Sequence, residues 1–283
     1  MLHPERDSRE ALATIGGWAR DRRARLVGLS GEVARAEGAT EVPPEELARQ
    51  ADLVVSLGGD GTMLRAMRLV LGGRAPVLGV NLGRLGFLAE IDVAHLPDAL
   101  SAIDQRHFTV EPRSAVEAAF GAHRHVAFNE VALARRPGQP MAQVGLVVEG
   151  QPFIRYAADA VIVATPTGST AYSFSAGGPI VSPRAQGLVV TPVAPHSAFN
   201  RSLVLAGGEN VELEVLPGSG ELDIEADGGL AGRIFPGARV ALEGAPAAAA
   251  VVRLGRTTFY QRAQRKLRLD GSIGAEPPWP TTT

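Results

Sequence analysis

Residues 52–62, with the sequence DLVVSLGGDGT, join an apolar run to a glycine-rich turn. The run 52–57 is rich in aliphatic and β-branched side chains, a pattern typical of a strand buried on both faces of a parallel sheet. Residues 62–71 contain many helix-forming side chains and predict a helix, and residues 76–80 predict a second buried strand. This order of strand, turn, helix and strand is typical of a doubly wound α/β sheet.

The segments that precede this unit extend the same domain. Residues 8–23 place apolar side chains on one helical face, with Ser8 as the N-cap, and residues 45–50 predict a short second helix. Residues 25–29 predict a further strand. We therefore assign residues 1–112 to an N-terminal doubly wound α/β domain that contains the glycine-rich turn.

Alternation of apolar and polar side chains replaces the helical pattern from about residue 113. Residues 144–148 and 153–157 flank a turn and predict a hairpin. Residues 211–215 and 222–226 alternate in the same way, on either side of a turn that contains proline and glycine. The sequence therefore predicts an antiparallel, β-sandwich-like domain over residues 113–257.

The C-terminal segment, residues 258–283, is expected to return to the first domain. Residues 259–267 have a helical and basic pattern, and we expect this helix to pack on the first domain. The proline-rich residues 277–283 predict a disordered tail. The basic side chains are expected on a solvated helix face: Arg262, Arg265, Lys266 and Arg268. The fold class expected for the whole chain is therefore α/β plus all-β.

Charge and composition exclude several classes of protein. The formal net charge of the 283 residues is −2, which argues against a general nucleic-acid binder or a protein of anionic membrane surfaces. The chain has no cysteine, which excludes disulfides, cysteine-ligated zinc, Fe–S clusters and thiol nucleophiles. No apolar run approaches the roughly 20 residues of a membrane span. The start of the chain is polar and has no signal-peptide core, so we expect a cytoplasmic protein.

Lysine is almost absent from this sequence. Of the 28 basic residues only Lys266 is a lysine. A mechanism that needs a phosphate-binding or Schiff-base lysine would therefore have to use Lys266. The Walker A pattern G-x-x-x-x-G-K-[ST] is also absent, so a P-loop nucleotide site is not predicted.

Asp60 lies between glycines at the carboxyl end of the first buried strand, where ligands bind in open parallel sheets. Gly59 and Gly61 allow close approach of a ligand to the backbone, and the N-terminus of the following helix favours phosphate. A carboxylate would repel phosphate, but it can orient a hydroxyl group or accept its proton while a phosphoryl group arrives. A tight turn with a helix-capping aspartate is the alternative, and the motif alone does not decide between them.

Two further stretches carry candidate binding groups. Residues 159–173 run from a predicted strand into a turn rich in hydroxyl groups and glycine, with Tyr172 as a surface on which a base can stack. The turn is long, has little charge and follows a buried strand, which favours a binding loop over a polar surface loop. Asn129 and Glu130 lie in the strand-like residues 125–133 and could bind a base and ribose hydroxyls. This dipeptide alone is more typical of an exposed strand pair.

Taken together, these motifs resemble the bacterial NAD kinase family, in consistent order and spacing over about residues 8–267. The GGDG element is shared with diacylglycerol-type lipid kinases and phosphofructokinases, whereas TPTGSTAY together with the Asn-Glu pair is specific to the family. The motifs that carry the resemblance are GGDG at 58–61, NLGRLGFL at 81–88, Asn129 and Glu130, TPTGSTAY at 165–172, GGP at 177–179, PHS at 195–197 and DG at 227–228.

The resemblance implies transfer of the γ-phosphoryl group of ATP, or in some members of polyphosphate, to the 2′-hydroxyl of the adenosine ribose of NAD. It implies a divalent metal such as Mg²⁺, for which we assign no ligand residue. It makes Asp60 the catalytic residue beside that hydroxyl. The substrate-binding positions that it implies are Gly59, Gly61, Arg65, Phe87, Asn129, Glu130, Asp159, Thr170, Ala171, Tyr172, Ser173, Phe174 and Ser175. In the family the adenosine-binding loop is often completed across a subunit interface, so we expect a homodimer or homotetramer with no nucleic-acid or membrane partner.

Two other functions stay open on the sequence. A lipid kinase of the same superfamily would phosphorylate a lipid hydroxyl, although the loop of residues 165–175 is polar. A non-catalytic NADP(H)-binding sensor is suggested by Gly229, which stands where the family commonly has glutamine. It is also suggested by the first helix, which begins without the strand that usually precedes it in the family. The intact Asp60 favours the kinase.

Overall fold

The computed structural model describes residues 1–83, 86–196 and 199–269, and all structural statements refer to these residues. The helices are α1 (Arg9–Arg22), α2 (Pro44–Gln50), α3 (Asp60–Leu69), α4 (Leu96–Asp104), α5 (Tyr172–Ser175) and α6 (Phe259–Leu267). The first strands are β1 (Val27–Gly28), β2 (Thr40–Glu41), β3 (Val54–Leu57), β4 (Val77–Asn81), β5 (Ile91–Asp92), β6 (Thr109–Phe120), β7 (His123–Ala127) and β8 (Glu130–Arg135). The later strands are β9 (Ala142–Val148), β10 (Gln151–Ala158), β11 (Ala160–Ala164), β12 (Gly187–Val193), β13 (Leu203–Ala206), β14 (Val211–Val215), β15 (Leu222–Ala226), β16 (Gly229–Ile234) and β17 (Arg239–Arg253).

The predicted unit of strand, turn, helix and strand is confirmed. Strands β3 and β4 pair in parallel, and α3 connects them. The helix begins at Asp60, two residues earlier than predicted, so the aspartate belongs to its first turn. Met63 and Met67 on α3 are buried against the sheet, which fixes the helix and therefore the orientation of its N-terminus.

The parallel and antiparallel strands form one sheet of nine strands. Its main path is β10–β9–β14–β17–β4–β3, with β5 beside β4, β6 beside β17 and β7 beside β6. The long strand β17 makes this continuity, since it pairs antiparallel with β14 and parallel with β4 through Val251 and Val77.

A second, six-stranded sheet has the order β13–β12–β11–β8–β15–β16 and is antiparallel throughout. Its inner side chains share one apolar core with β6, β9 and β14 of the large sheet, so the predicted sandwich is confirmed. The predicted hairpin is present as β9 and β10. Strands β14 and β15 follow each other along the chain but lie in different sheets. The apolar side chains of each therefore enter the shared core from opposite sides.

The start of the chain differs from the sequence-based expectation. Strand 25–29 is reduced to β1, which pairs only with β2 in a separate parallel sheet. Leu2 forms a parallel bridge with Leu57, and the backbone N–H of His3 donates to the Leu57 carbonyl at 2.9 Å. Ser8 precedes α1 as predicted, but its hydroxyl accepts from Arg35 instead of capping the helix. A single bridge thus lies beside β3, where the resemblance implies a strand.

The C-terminal helix has the predicted bounds and packs on the first part of the chain. A capping box of Thr258 and Gln261 starts α6. The expectation of a solvated basic face is wrong for Arg262, which is 3% exposed and pairs with Glu90 at 2.6 Å. The other predicted feature of this segment, a disordered tail at 277–283, lies outside the described residues. Within the described ranges, no helix combines the length and apolar character needed to cross a bilayer.

Candidate active site

Asp60 is held across the site by the backbone of another loop. Its Oδ2 accepts the N–H of Phe87 at 2.9 Å, and its Oδ1 accepts the N–H of Leu88 at 3.0 Å. The N-cap of α3 is Gly59, and no side chain caps this helix. The helix-capping interpretation is therefore wrong, and the carboxylate is fixed at the carboxyl end of β3 with lone pairs left for a further donor.

Glycines give the carboxylate its position. A Cβ atom on Gly86 would overlap the carboxylate of Asp60, and one on Gly58 would overlap the hydroxyl group of Thr62. Glycine is thus required at 58 and 86 by close approach. At Gly59 and Gly61 a Cβ atom would meet no described atom within 4 Å, so the backbone there is open on the side of the turn.

Asn129 lies where the chain changes sheets. The predicted continuous strand 125–133 is wrong, because β7 pairs with β6 in the large sheet while β8 belongs to the six-stranded sheet. The backbone N–H groups of Phe128 and Asn129 leave the strand ladder at this crossing. They donate instead to the carboxylate of Asp227, at 3.1 Å and 2.7 Å.

Glu130 is buried, with only 6% of its surface exposed, so the interpretation of an exposed strand pair is wrong. Burial, and after it the charge of Asp227, raise the pKa of its carboxyl group to about 7, although a hydrogen bond from the Tyr172 backbone partly opposes them. Its Oε2 atom has no hydrogen-bond partner among the described residues. A buried acceptor of this kind can take a hydroxyl donor from a ligand.

The loop after β11 packs on the Asn129 crossing. The hydroxyl of Thr165 donates to the Phe128 carbonyl at 2.6 Å, and the N–H of Gly168 donates to the same hydroxyl at 3.1 Å. A Cβ atom on Gly168 would overlap the Asn129 carbonyl, so glycine is needed for this approach. Two of the motifs predicted to act together therefore lie in direct contact.

The predicted adenosine loop, residues 170–175, contains both exposed and structural side chains. The Tyr172 side chain is 38% exposed, and burial followed by the charges of Glu225, Asp159 and Glu130 raises its pKa. The Ser173 hydroxyl lies inside, at 3.0 Å from the Thr191 hydroxyl. The remaining residues vary in exposure: Thr170, Ala171 and Phe174 are half-buried and Ser175 is exposed.

The predicted site residues fall into two groups. The first surrounds α3, where Arg65 is exposed and the Phe87 ring lies 5.4 Å from the Lys266 ammonium and 6.4 Å from the Phe259 ring. The second surrounds Tyr172 and includes Asn129, Glu130 and Asp159. Asp159 also pairs with Arg135 at 3.0 Å.

One contact that the sequence did not indicate links these groups. Arg68, in the last turn of α3, lies 3.6 Å from the carboxylate of Asp227. Glu90 and Arg262 were also missed as supports of the segment that holds Asp60. Each of these residues is a single charge in an ordinary helical or loop pattern, so the sequence did not indicate its buried or paired role.

Comparisons with known proteins agree with this geometry. The family model for the ATP-NAD kinase N-terminal domain matches residues 21–108, and that for the ATP-NAD kinase C-terminal domain matches residues 128–254. NAD kinase 1 of Streptomyces avermitilis is 40% identical over 280 residues, covering 83% of this chain and 78% of the relative. The NAD kinase of Desulforamulus reducens is 37% identical over 232 residues, covering 80% and 81%.

Two solved structures have a similar fold. Yeast NADH kinase complexed with NADH superposes with a TM-score of 0.84 over 100% of this chain and 89% of that one, at 23% identity. An NAD kinase from Archaeoglobus fulgidus in complex with ATP superposes with a TM-score of 0.68 at 27% identity, covering 87% of this chain and 98% of that one.

Proposed function

The chain belongs to the NAD kinase family, and we propose that it transfers the γ-phosphoryl group of ATP to the 2′-hydroxyl of the adenosine ribose of NAD, with Asp60 beside that hydroxyl. The observation that carries this role is the carboxylate of Asp60, oriented by two backbone N–H groups at the carboxyl end of β3. Ligands of open α/β sheets bind at this end of the strands.

Asp60 would act as the acceptor for the hydroxyl proton. The bond between the γ-phosphorus and the β,γ-bridging oxygen breaks, the new bond to the ribose 2′-oxygen forms, and the hydroxyl proton passes to the carboxylate. The products are ADP and NADP. Because the Phe87 and Leu88 amides already fix the carboxylate, little reorganisation is needed when the substrates arrive.

Glu130 and the loop beside it would bind the dinucleotide. The unpaired Oε2 of Glu130 can accept a ribose hydroxyl, and the exposed Tyr172 ring can stack on a base. Asp159 is proposed for the nicotinamide half. The other proposed contacts are Gly59, Gly61, Arg65, Phe87, Asn129, Thr170, Ala171, Ser173, Phe174 and Ser175.

A divalent metal would enter with the nucleotide. Mg²⁺ usually keeps several waters and is bound by one or two carboxylates together with substrate phosphates. Across the described residues, no three His, Asp or Glu side chains come together as a metal site. When bound, it neutralises charge on the β- and γ-phosphates. We also propose polyphosphate as an alternative donor, a homodimer or homotetramer and a cytoplasmic location.

The direct test is formation of NADP from NAD and Mg-ATP by the purified protein. Replacement of Asp60 by Asn is expected to lower kcat by roughly 10²-fold or more, the usual contribution of a positioned acid or base. The melting temperature and NAD affinity of Asp60→Asn are the controls for folding and binding. Undiminished turnover in the variant would remove Asp60 from the chemistry.

Two outcomes would instead support the other functions considered. Preferential phosphorylation of diacylglycerol in competition with NAD would make the protein a lipid kinase. Tight NADPH binding with no turnover for any metal or donor would make it a sensor.

A further inference from the structure

Asp227 is the first residue of the two-residue turn that joins β15 and β16, where an Asp-Gly pair with positive φ is preferred. It lies between β15 and β16 with φ of 47°, in the left-handed region, directly before Gly228 with φ of 75°. Its side chain is 0% exposed. Burial of a carboxylate is unfavourable unless hydrogen bonds satisfy it, so the contacts of this side chain must offset its burial.

Those contacts bracket the crossing between the two sheets. The carboxylate accepts the N–H groups of Phe128 and Asn129, and the backbone N–H of Asp227 donates to the Glu130 carbonyl at 3.0 Å. Asp227 therefore holds the segment 128–130 from both ends. These hydrogen bonds replace the strand pairing that the segment loses where it changes sheets.

The same carboxylate reaches the other half of the site. Arg68 approaches Asp227 Oδ2 at 3.6 Å, and its side chain is 39% exposed. Arg68 and Asp60 lie at opposite ends of α3, a helix fixed by its buried methionines. One buried charge thus contacts the Asn129 crossing directly and the Asp60 helix through Arg68.

We propose that Asp227 is a positioning residue for NAD binding, which holds Asn129 and Glu130 in place and aligns them with the Asp60 helix through Arg68. The proposal rests on the proposed function, because it deepens the role of Glu130. Arg68 is the second positioning residue, because it joins the Asp227 carboxylate to the last turn of α3.

Replacement of Asp227 by Asn tests this with little change in shape. The amide would place an NH₂ group against one of the two backbone N–H donors, so one hydrogen bond is lost. We expect KM for NAD to rise about 10-fold or more, from loss of roughly one well-placed hydrogen bond to a charged group, with KM for ATP nearly unchanged. The matched control is Asp223→Asn on β15, the strand that precedes Asp227, whose carboxylate faces Arg136 and Arg233.

A pH profile separates positioning from general loss of structure. The groups that face the Glu130 carboxyl are the carboxylates of Asp227 and Glu225 and the backbone N–H of Tyr172. Removing the Asp227 charge lowers the pKa of Glu130, so the acid limb of kcat/KM for NAD should move to lower pH. A purely structural defect would lower the whole profile without moving that limb.

The outcomes distinguish this proposal from the proposed function. If the wild-type protein makes no NADP, the proposed NAD kinase function is overturned, and the positioning role that rests on it is overturned with it. If the wild type is active and Asp227→Asn keeps KM for NAD within twofold with an unmoved acid limb, the positioning role is overturned. If Asp227→Asn does not fold, Arg68→Met decides, because Arg68 is half-exposed and its loss should still raise KM for NAD severalfold. An unchanged KM in Arg68→Met would then overturn the proposal.

Discussion

Glu130 combines a buried carboxyl group with a neighbouring negative charge on Asp227, and its pKa is raised to about 7 from the ordinary 4.5. The folded protein therefore favours the protonated carboxyl. As the pH rises from about 4.5 through 7, ionisation of Glu130 destabilises the fold, and the full effect, about 3 kcal/mol at ~1.4 kcal/mol for each pH unit, is present above pH 7.

Replacement of Glu130 by Gln removes this ionisation. The variant should melt at a higher temperature than the wild type at pH 8, with little difference at pH 4.5, because the wild-type carboxyl is already neutral there. Thermal unfolding at the two pH values measures the effect. Glu243→Gln, at an exposed position, is the control and should show no such difference. Equal effects of Glu130→Gln at both pH values would contradict the raised pKa.

Gly86 is the residue whose smallest possible enlargement should disturb Asp60. A methyl group there would overlap the carboxylate, so Gly86→Ala should turn Asp60 away from the Phe87 and Leu88 amides. We expect kcat to fall by roughly 10²-fold or more, as for a displaced catalytic acid or base. Steady-state kinetics measure this change. Gly17→Ala, in α1, meets no described atom within 4 Å and should leave kcat unchanged.

At the scale of residues, the sequence predicted the position of Asp60 but not the residues that hold it in place. The position of Asp60 at the end of a buried strand followed from local pattern. Its partners at 87 and 88 did not, because these contacts join residues 27 and 28 positions apart. The burial of Glu130 was also missed, since it arises from the loop after β11 and from the Asp227 turn, both distant along the chain.

Among the elements, α6 supports the segment that holds Asp60. Arg262 donates to the Ala89 carbonyl at 2.8 Å and to Glu90, and Arg253 also pairs with Glu90 at 2.8 Å. Glu111 joins the same network through Arg253. The helix therefore contacts the 87–90 segment through buried, paired charges as well as through the Phe87 and Phe259 rings.

Loss of the Arg262 guanidinium should weaken this docking. Arg262→Met leaves the Ala89 carbonyl without this donor and Glu90 with only part of its pairing. We expect a loss of about 3 kcal/mol, the lower end for breaking a buried ion pair, together with lower kcat. Chemical denaturation measures the stability. Arg265→Met, exposed on the same helix, should change stability by less than about 0.5 kcal/mol. Equal effects of the two variants would contradict a structural role for Arg262.

Element positions followed from periodicity where one face is buried, as for α6, β3, β4 and the hairpin of β9 and β10. The break between β7 and β8 did not, because residues 125–133 read as one strand and only the pairing partners differ. The prediction that Arg262 lies on a solvated face of α6 was also wrong. An arginine that pairs with a distant carboxylate, as Arg262 does with Glu90, has the same local sequence pattern as a solvated arginine.

Over the whole molecule, the nine-stranded sheet joins the parallel strands of the first part of the chain to the antiparallel strands of the second. Side chains of β6 and β17, including Ala115, Ala249 and Val251, pack in the same core as Met63 on α3 and Val77 on β4. The domain limits at residues 112 and 257 stay a prediction. The sequence predicted both fold types but not their continuity, because no local pattern shows that β17 pairs with strands of both.

This continuity predicts a single cooperative unfolding transition. Trp18 on α1 reports the first part of the chain, through an indole that contacts Asp104, and Trp279→Phe would leave it as the only tryptophan. Its fluorescence and the far-ultraviolet circular dichroism should give the same midpoint on heating. An earlier Trp18 transition would show that the α/β part unfolds separately.

The isolated lysine beside Phe87 offers a practical consequence. Amine-directed labels would find one side-chain target, Lys266. It is exposed on α6, the helix that packs on the segment 87–90. A fluorophore attached there would lie next to the Phe87 ring, which is one of the proposed substrate contacts. Quenching of that dye would then follow nucleotide arrival in real time, without any mutation of the chain.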